Sequence, residues 1–368
     1  MAHRFGVDNT ADAKWLALSA GVRSGARWLD AVLGRFPTPD ALLGCSPDES
    51  WSAAMQSLRR DIAHAKAPGA LKALVNRAPL YLVTVYDPEY PPLLAECQDR
   101  PPFLFVHGQL DVLPAETLSI VGTRKPSLDG KRAASEFATA ATLAGRVVVS
   151  GLALGIDGLA HQATLAAGGK TIAIMPSGLD RIYPSRHQSL ADQIRRSGAV
   201  VSEFPLGTAP RKHHFHRRNR TLSGFSAATL VVEAGRPSGT LITASAAADQ
   251  GRDVLALPWS VYHPEGSGCR YLLDDGAVLL TSVAALNDYL GVRATELPDG
   301  DLLSHASPDT VRDPDQRAML ALMAGRPVQP ELLASHLGWG LDRCLACLAS
   351  LEVSGLVRKT FLGYQAAR

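Results

Sequence analysis

From residue 80 onward, short β-rich runs alternate with longer alanine-rich stretches. A chain with that alternation has few ways to bury its apolar residues, and the main one is a series of βαβ units around a parallel sheet. Strands are predicted at Leu80 to Tyr86, Leu118 to Val121, Val147 to Ser150, Thr171 to Met175, Val200 to Glu203, Thr229 to Glu233 and Val254 to Leu257. Helices are predicted between them, at about 129–144, 156–168, 187–197, 217–225 and 240–250. Runs such as Ile172-Ala-Ile-Met175 and Leu230-Val-Val232 are apolar without alternation, which implies cover on both faces. The predicted class is α/β: a Rossmann-like, doubly wound, mostly parallel sheet over residues 76–291.

The flanks read differently. Over residues 1–75, Trp15, Leu16, Leu18, Trp28, Leu29, Val32 and Leu33 recur at helical intervals broken by Gly21, Gly25 and Pro37, which predicts a small helical (SAM/helix-hairpin-helix-like) domain. The segment Gly21-Val-Arg-Ser-Gly25 resembles a helix-hairpin-helix turn and equally suits an ordinary helix-helix turn. Residues 292–314 gather Pro, Asp, Gly and Ser and are predicted to be a linker. Residues 315–368 then supply three helices and a hairpin around Lys359-Thr-Phe-Leu-Gly-Tyr364, the pattern of a winged-helix domain. Its third helix holds few base-reading side chains, Arg343 almost alone, which favours protein docking or a structural role.

At 368 residues with 46% apolar and 20% charged residues, the chain has the mass for two or three folded domains. No apolar run approaches membrane-spanning length, and the first residues lack the apolar core of a secretory signal, so a soluble cytoplasmic protein with no membrane partner is expected. Five scattered cysteines argue against a disulfide framework. Cys344 and Cys347 form a lone C-x-x-C among leucines at helical spacing, which suits two small core residues better than zinc. The net charge is only +2, so any affinity for nucleic acid must come from local clustering.

Ligands of an open parallel sheet sit outside the carboxyl ends of its strands, where helix N-termini offer free amides to anions. Three predicted strand-to-helix turns there are rich in Gly, Ser and Thr. In Val121-Gly-Thr-Arg-Lys-Pro-Ser127, Gly122 admits a close backbone approach and Arg124 offers a planar fork for phosphate, with Lys125 beside it. In Ser150-Gly-Leu-Ala-Leu-Gly-Ile-Asp-Gly158, Gly151 and Gly155 permit a compact anion cradle. In Glu233-Ala-Gly-Arg-Pro-Ser-Gly-Thr240, Ser238, Gly239 and Thr240 stand at a predicted helix start. Neither G-x-G-x-x-G nor G-x-x-x-x-G-K-[ST] is present, which removes the main support for dinucleotide or nucleoside-triphosphate binding. Asp157 and Glu233 look like a catalytic pair, but Asp157 stands at a predicted helix N-terminus, where a carboxylate is stabilised anyway.

The most specific segment is Arg211-Lys-His-His-Phe-His-Arg-Arg-Asn-Arg220, with five permanent cations, three histidines and no acid in ten residues around Phe215. Cations that track phosphates, with a ring that stacks on any base, are what single-strand binding requires. No carboxylate or cysteine accompanies the histidines, so metal binding is a minor reading.

At these residues the chain resembles the DNA-processing protein A (DprA/Smf) family of bacteria. The resemblance spans about residues 80–285 and rests on Val121-Gly-Thr-Arg124, Ser150-Gly-Leu-Ala-Leu-Gly-Ile-Asp157 with His161, Tyr183-Pro-Ser-Arg-His187, Ser202-Glu-Phe-Pro205, Phe215-His-Arg-Arg-Asn-Arg220, Ser238-Gly-Thr-Leu-Ile-Thr-Ala244 and Asp275-Gly-Ala277. It implies a Rossmann-like core that forms a homodimer, binds single-stranded DNA without sequence preference, and loads the RecA recombinase during natural transformation, with no cofactor or metal and no catalytic residue. Carried over by motif, the phosphate turn falls on Gly122 and Arg124, and the DNA-contacting segment on Phe215, Arg218, Asn219 and Arg220. Joined to the loop residues above, the predicted DNA-binding set is Gly122, Thr123, Arg124, Lys125, Ser150, Gly151, Gly155, Lys212, Phe215, Arg217, Arg218, Asn219, Arg220, Ser238, Gly239 and Thr240. His216, Trp259 and Arg270 depart from the family pattern, which has proline at the first position, glycine at the second, and Asn or His at the third.

Two other classes compete. A nucleoside-monophosphate phosphoribohydrolase of the lysine-decarboxylase-like fold shares the architecture and would use an acid such as Glu233, but its P-G-G-x-G-T sequence is absent. A duplex-DNA regulator acting through the winged helix leaves the glycine-rich loops without a purpose.

Overall fold

The computed structural model describes residues 2–6, 10–24, 26–47, 51–292, 313–323, 328–353, 356–360 and 363–366. The chain divides into two compact units, Met1–Glu296 and Leu297–Arg368. Most of the predicted linker, residues 293–312, lies outside the described residues, as does Gly25 of the predicted hairpin turn.

In the larger unit the strands are β1 (His3–Arg4), β2 (Leu80–Thr84), β3 (Phe103–Gly108), β4 (Thr117–Val121), β5 (Val147–Ser150), β6 (Thr171–Met175), β7 (Ala199–Ser202), β8 (Ala228–Val231), β9 (Asp253–Ala256) and β10 (Val278–Leu279). They form one sheet in the order β1-β2-β3-β7-β6-β5-β4-β8-β9-β10. From β7 to β10 every pairing is parallel, while β1, β2 and β3 extend the sheet antiparallel. The doubly wound expectation holds, and β1, β3 and β10 are additions. Two residues each in β1 and β10 are too few to show a period. The Phe-Leu-Phe-Val run of β3 is continuous apolar sequence, buried along its whole length.

The strands bury both faces. Val148 packs in one core with Leu118, Ile120 and the helix Leu128–Leu143, while Val147 and Val149 pack in another with Leu222 and Phe225. The helical segment of residues 10–75 is present, and its buried Leu18, Leu29, Val32, Leu58 and Ile62 share a core with Leu80, Phe103 and Phe105 of the sheet. Gly21–Ser24 forms a short 3-10 turn within that segment. No helix among the described residues is long and apolar enough to cross a membrane.

The smaller unit contains helices Pro314–Leu322, Pro330–Leu337 and Leu341–Val353, followed by the antiparallel strands Val357–Thr360 and Gly363–Ala366. Val328 bridges to Tyr364 and widens the wing. Cys344 lies in its apolar core with Met319, Leu348 and Leu351, as the leucine spacing predicted. Arg343 pairs with Asp315 and lies 4.6 Å above the Trp339 ring, so it is engaged within its own unit.

Candidate nucleic-acid interface

The chain leaves β4 toward β5 on one side and β8 toward β9 on the other, so the crossover direction reverses between β4 and β8. At the carboxyl ends of these two strands lies a cleft of about 710 Å³. Its walls are Gly122, Thr123 and Arg124 after β4, Ala153 and Asp157 after β5, Ser238, Gly239, Thr240 and Thr243 after β8, and one face of the helix Lys212–Gly224.

The turn after β4 is drawn close to its neighbours. The Thr123 amide donates to the Glu233 carbonyl at 2.7 Å, and Ile156 donates to the Thr123 carbonyl at 3.1 Å. A Cβ on Gly122 would lie 2.5 Å from Ile156, and one on Gly155, at φ +83°, would lie 2.3 Å from the Thr123 carbonyl. Only glycine fits these positions. Leu152 sits between them in the same cradle with φ +56°, a strained backbone for a branched residue, and is fully buried.

The cationic segment is helical from Lys212, five residues before the predicted start at 217. The helix thus takes in residues 212–216, which the prediction left outside it, and it distributes the side chains over separate faces. Lys212, Phe215, His216, Asn219 and Leu222 face the cleft. Arg217 and Arg220 turn to the opposite face, beside a second cavity lined by Trp28, Asp99 and Glu203. There Arg217 binds Glu203 at 2.6 Å, and Arg220 binds Asp99 and, at 3.4 Å, Asp249. Neither is delivered to the cleft. Arg218 is 5% exposed, and its Nη1 donates to the carbonyls of Gly151 and, at 2.9 Å, Ile174. Burial pushes its pKa down to about 10 and that of the facing, buried Asp157 up, each charge opposing the other's shift. Arg218 therefore holds the cleft floor instead of meeting solvent phosphate. Its Nε also donates to Asn219 Oδ1 at 3.1 Å, leaving the Asn219 amino group for the cleft.

Phe215 is half-buried. Its ring has Tyr183 edge-on at 5.5 Å and the guanidinium carbons of Arg124 and Arg218 at 5.6 and 5.9 Å. Arg124, Lys125 and Lys212 are exposed, and among the described residues none has an acidic partner. Lys125 and Gly155 line an adjoining basin that shares Arg124 with the cleft.

Ser150 is fully buried and donates to the Ile120 carbonyl at 2.6 Å, which corrects its assignment to the ligand-facing set: its side chain ties β5 to β4. Gly151 donates its amide to Asp157 and gives its carbonyl to Arg218, so its polar groups are engaged internally. Asp157 also accepts from Ala153, so it organises the turn after β5. Glu233 is fully buried, accepts from the Ser127 amide at 2.9 Å, and contacts His263 at 2.6 Å, away from the cleft lining. Tyr183, 39% exposed, lines the cleft outside the predicted binding set, although the Tyr183–His187 motif that carries it was visible in the sequence.

Residues 81–291 match the family model described as DNA recombination-mediator protein A, and residues 304–360 match the DprA winged helix domain. The chain is 37% identical over 286 residues to Protein Smf of Escherichia coli K12, covering 77% of this chain and 76% of the relative. It is 41% identical over 199 residues to DNA processing protein DprA of Streptococcus pneumoniae R6, covering 54% and 70% of the two chains. The solved structure of S. pneumoniae DprA superposes with a TM-score of 0.59 at 32% identity, covering 76% of this chain and 95% of that one. Helicobacter pylori DNA processing protein A, solved to explain its single-stranded DNA binding mode, superposes with a TM-score of 0.52 at 28% identity over 57% and 95%. Fold, cleft and winged helix define a DNA-processing protein. The chain belongs to the DNA recombination-mediator protein A (DprA/Smf) family.

Proposed function

We propose that this protein binds single-stranded DNA in the cleft between β4 and β8, acts as a homodimer through its α/β unit, and loads RecA onto incoming strands during natural transformation, without catalysing a reaction of its own. The observation that carries the reading is Phe215, a half-exposed ring at the cleft mouth with Tyr183 and two guanidinium groups around it. A strand needs rings on which its bases stack and free cations for its phosphates. Arg124 and Lys212 line the cleft and supply those cations. The internal engagement of Glu233 weighs against the phosphoribohydrolase reading, because its carboxylate already accepts from Ser127 and contacts His263.

The test compares labelled oligo-dT with a duplex of equal length by fluorescence anisotropy. Wild type should prefer the single strand, and Phe215→Ala should lose about 1–3 kcal/mol, the scale of base stacking on an aromatic side chain. Equal binding of duplex and single strand, or an unaffected Phe215→Ala, would overturn the assignment. Assembly of RecA on strands coated with single-strand-binding protein, with and without this protein, tests the loading step.

A further inference from the structure

Beside the cleft lies a second concavity of about 400 Å³, reached across Arg124, which lines both. Lys125, Lys131, Gln162 and His187 surround it over a floor of Gly155 and Gly158, and no acidic residue lines it. We propose that this basin is a second phosphate site, which takes the sugar-phosphate backbone of a strand as it leaves the cleft, with Lys131 and His187 as binding residues. The proposal rests on the single-strand reading above and adds a direction for the strand to it.

Three observations support it. First, the cations here are unneutralised: Lys131 and Lys125 have no acidic partner among the described residues, whereas Arg132, the next residue in the helix, is bound to Glu136 at 2.6 Å. Unpaired lysines converging on a concave surface leave a positive potential suited to a polyanion. Second, His187 is oriented: its Nδ1 donates to the Leu152 carbonyl at 2.8 Å, which leaves Nε2 as the outer edge, a donor to a phosphate oxygen when the ring is an imidazolium. That edge lies over Gly158, where a Cβ would come within 3.2 Å of Nε2. Third, one short segment serves both concavities. Tyr183 packs on Phe215 in the cleft, and His187, four residues on, stands at the basin. A strand stacked on Phe215 therefore meets the Tyr183–His187 segment along its course, with Arg124 between the two sites.

The test uses the full chain with dT4, which stacking on Phe215 is expected to hold in the cleft, and dT12, whose further phosphates are expected to reach the basin, each measured by anisotropy between 50 and 200 mM salt. Each single-strand phosphate contact contributes about 0.7 to the slope of log affinity against log salt. Lys131→Ala should flatten the dT12 slope by about 0.7, so that the fourfold rise in salt costs about 2.6-fold less affinity than in wild type. The Lys125→Ala/Lys131→Ala double variant should flatten it by about 1.4, or about sevenfold. His187→Gln should weaken dT12 and leave dT4 unchanged. Wild-type slopes for these variants on dT12, with Phe215→Ala still defective on both oligonucleotides, would overturn the second site and leave the cleft standing. Equal losses on dT4 and dT12 would also overturn it, since the lysines would then act on the cleft itself. Failure of the wild-type protein to bind either oligonucleotide would overturn the cleft and the basin together.

Discussion

Replacing Arg218 with methionine separates a phosphate ligand from a structural cation. In the folded protein its Nη1 satisfies the Gly151 and Ile174 carbonyls and its charge faces the buried Asp157. Methionine retains the apolar stem but leaves two buried acceptors without a donor and a buried carboxylate without its counter-charge. Removing one partner of a buried pair typically costs about 3–5 kcal/mol. Asp157, whose pKa burial already raises, can take up a proton at modest cost, so the lower end, about 3 kcal/mol, is expected. At about 2–4 °C per kcal/mol for a unit of this size, the calorimetric midpoint of the larger unit should fall by about 6–12 °C. The salt slope of oligo-dT binding, measured well below that midpoint, should stay at the wild-type value, because the charge removed never faced a phosphate. Arg124→Ala should do the reverse, with a flatter slope by about 0.7 and an unchanged midpoint. A wild-type midpoint with a flattened slope for Arg218→Met would refute the burial argument and return Arg218 to the DNA.

Arg220→Ala should leave the salt slope intact, since Asp99 and Asp249 already neutralise the guanidinium, and should change stability by about 0–1 kcal/mol, the worth of an exposed pair; anisotropy showing a slope lower by about 0.7 would mean that Arg220 swings onto the strand. The larger unit should be labile in acid through His161 and His107, both fully buried, whose pKa values burial lowers to about 3 and about 4. Unfolded, these rings take up protons near pH 6.5, so the stability they contribute is complete above that pH and is lost as pH falls through the interval toward 4. Between pH 7.5 and 5 each should cost about 2 kcal/mol, and urea unfolding of His161→Gln should show a pH dependence shallower by that amount, with an unchanged dependence refuting the assignment.

The sheet was legible because its signal is physical redundancy: a strand buried on both faces is apolar at most positions, and β5, β6 and β8 read that way apart from the buried Ser150, Thr171 and Thr229. The glycine-rich turns were legible for a related reason, since Gly122 and Gly155 occupy places where a Cβ would collide with the neighbouring backbone or with Ile156. The helix Lys212–Gly224 was partly hidden, because its inward stripe is His214, Arg218, Thr221 and Leu222, and only the last of these counts as apolar in a periodicity search. His214 is 8% exposed and its Nδ1 lies 3.0 Å from the Ala209 carbonyl, so polar side chains occupy positions where a search expects leucine.

That substitution decides which cations serve the ligand. Read by composition, Arg211 to Arg220 is an undifferentiated basic run in which every arginine is a candidate for phosphate. As a helix, the same residues separate by angle. Lys212, Phe215 and Asn219 share the cleft face, Arg218 points into the sheet, and Arg217 and Arg220 meet Glu203, Asp99 and Asp249 behind. Composition alone cannot distinguish these roles, since the acids that neutralise Arg217 and Arg220 come from segments 14 to 121 residues away. Among the cations left free, Arg124, Lys125 and Lys212 come from two separate elements that the reversal of winding at β4 and β8 brings to one edge. Local sequence thus supplies the charge, and the topology selects which charges remain available to a polyanion.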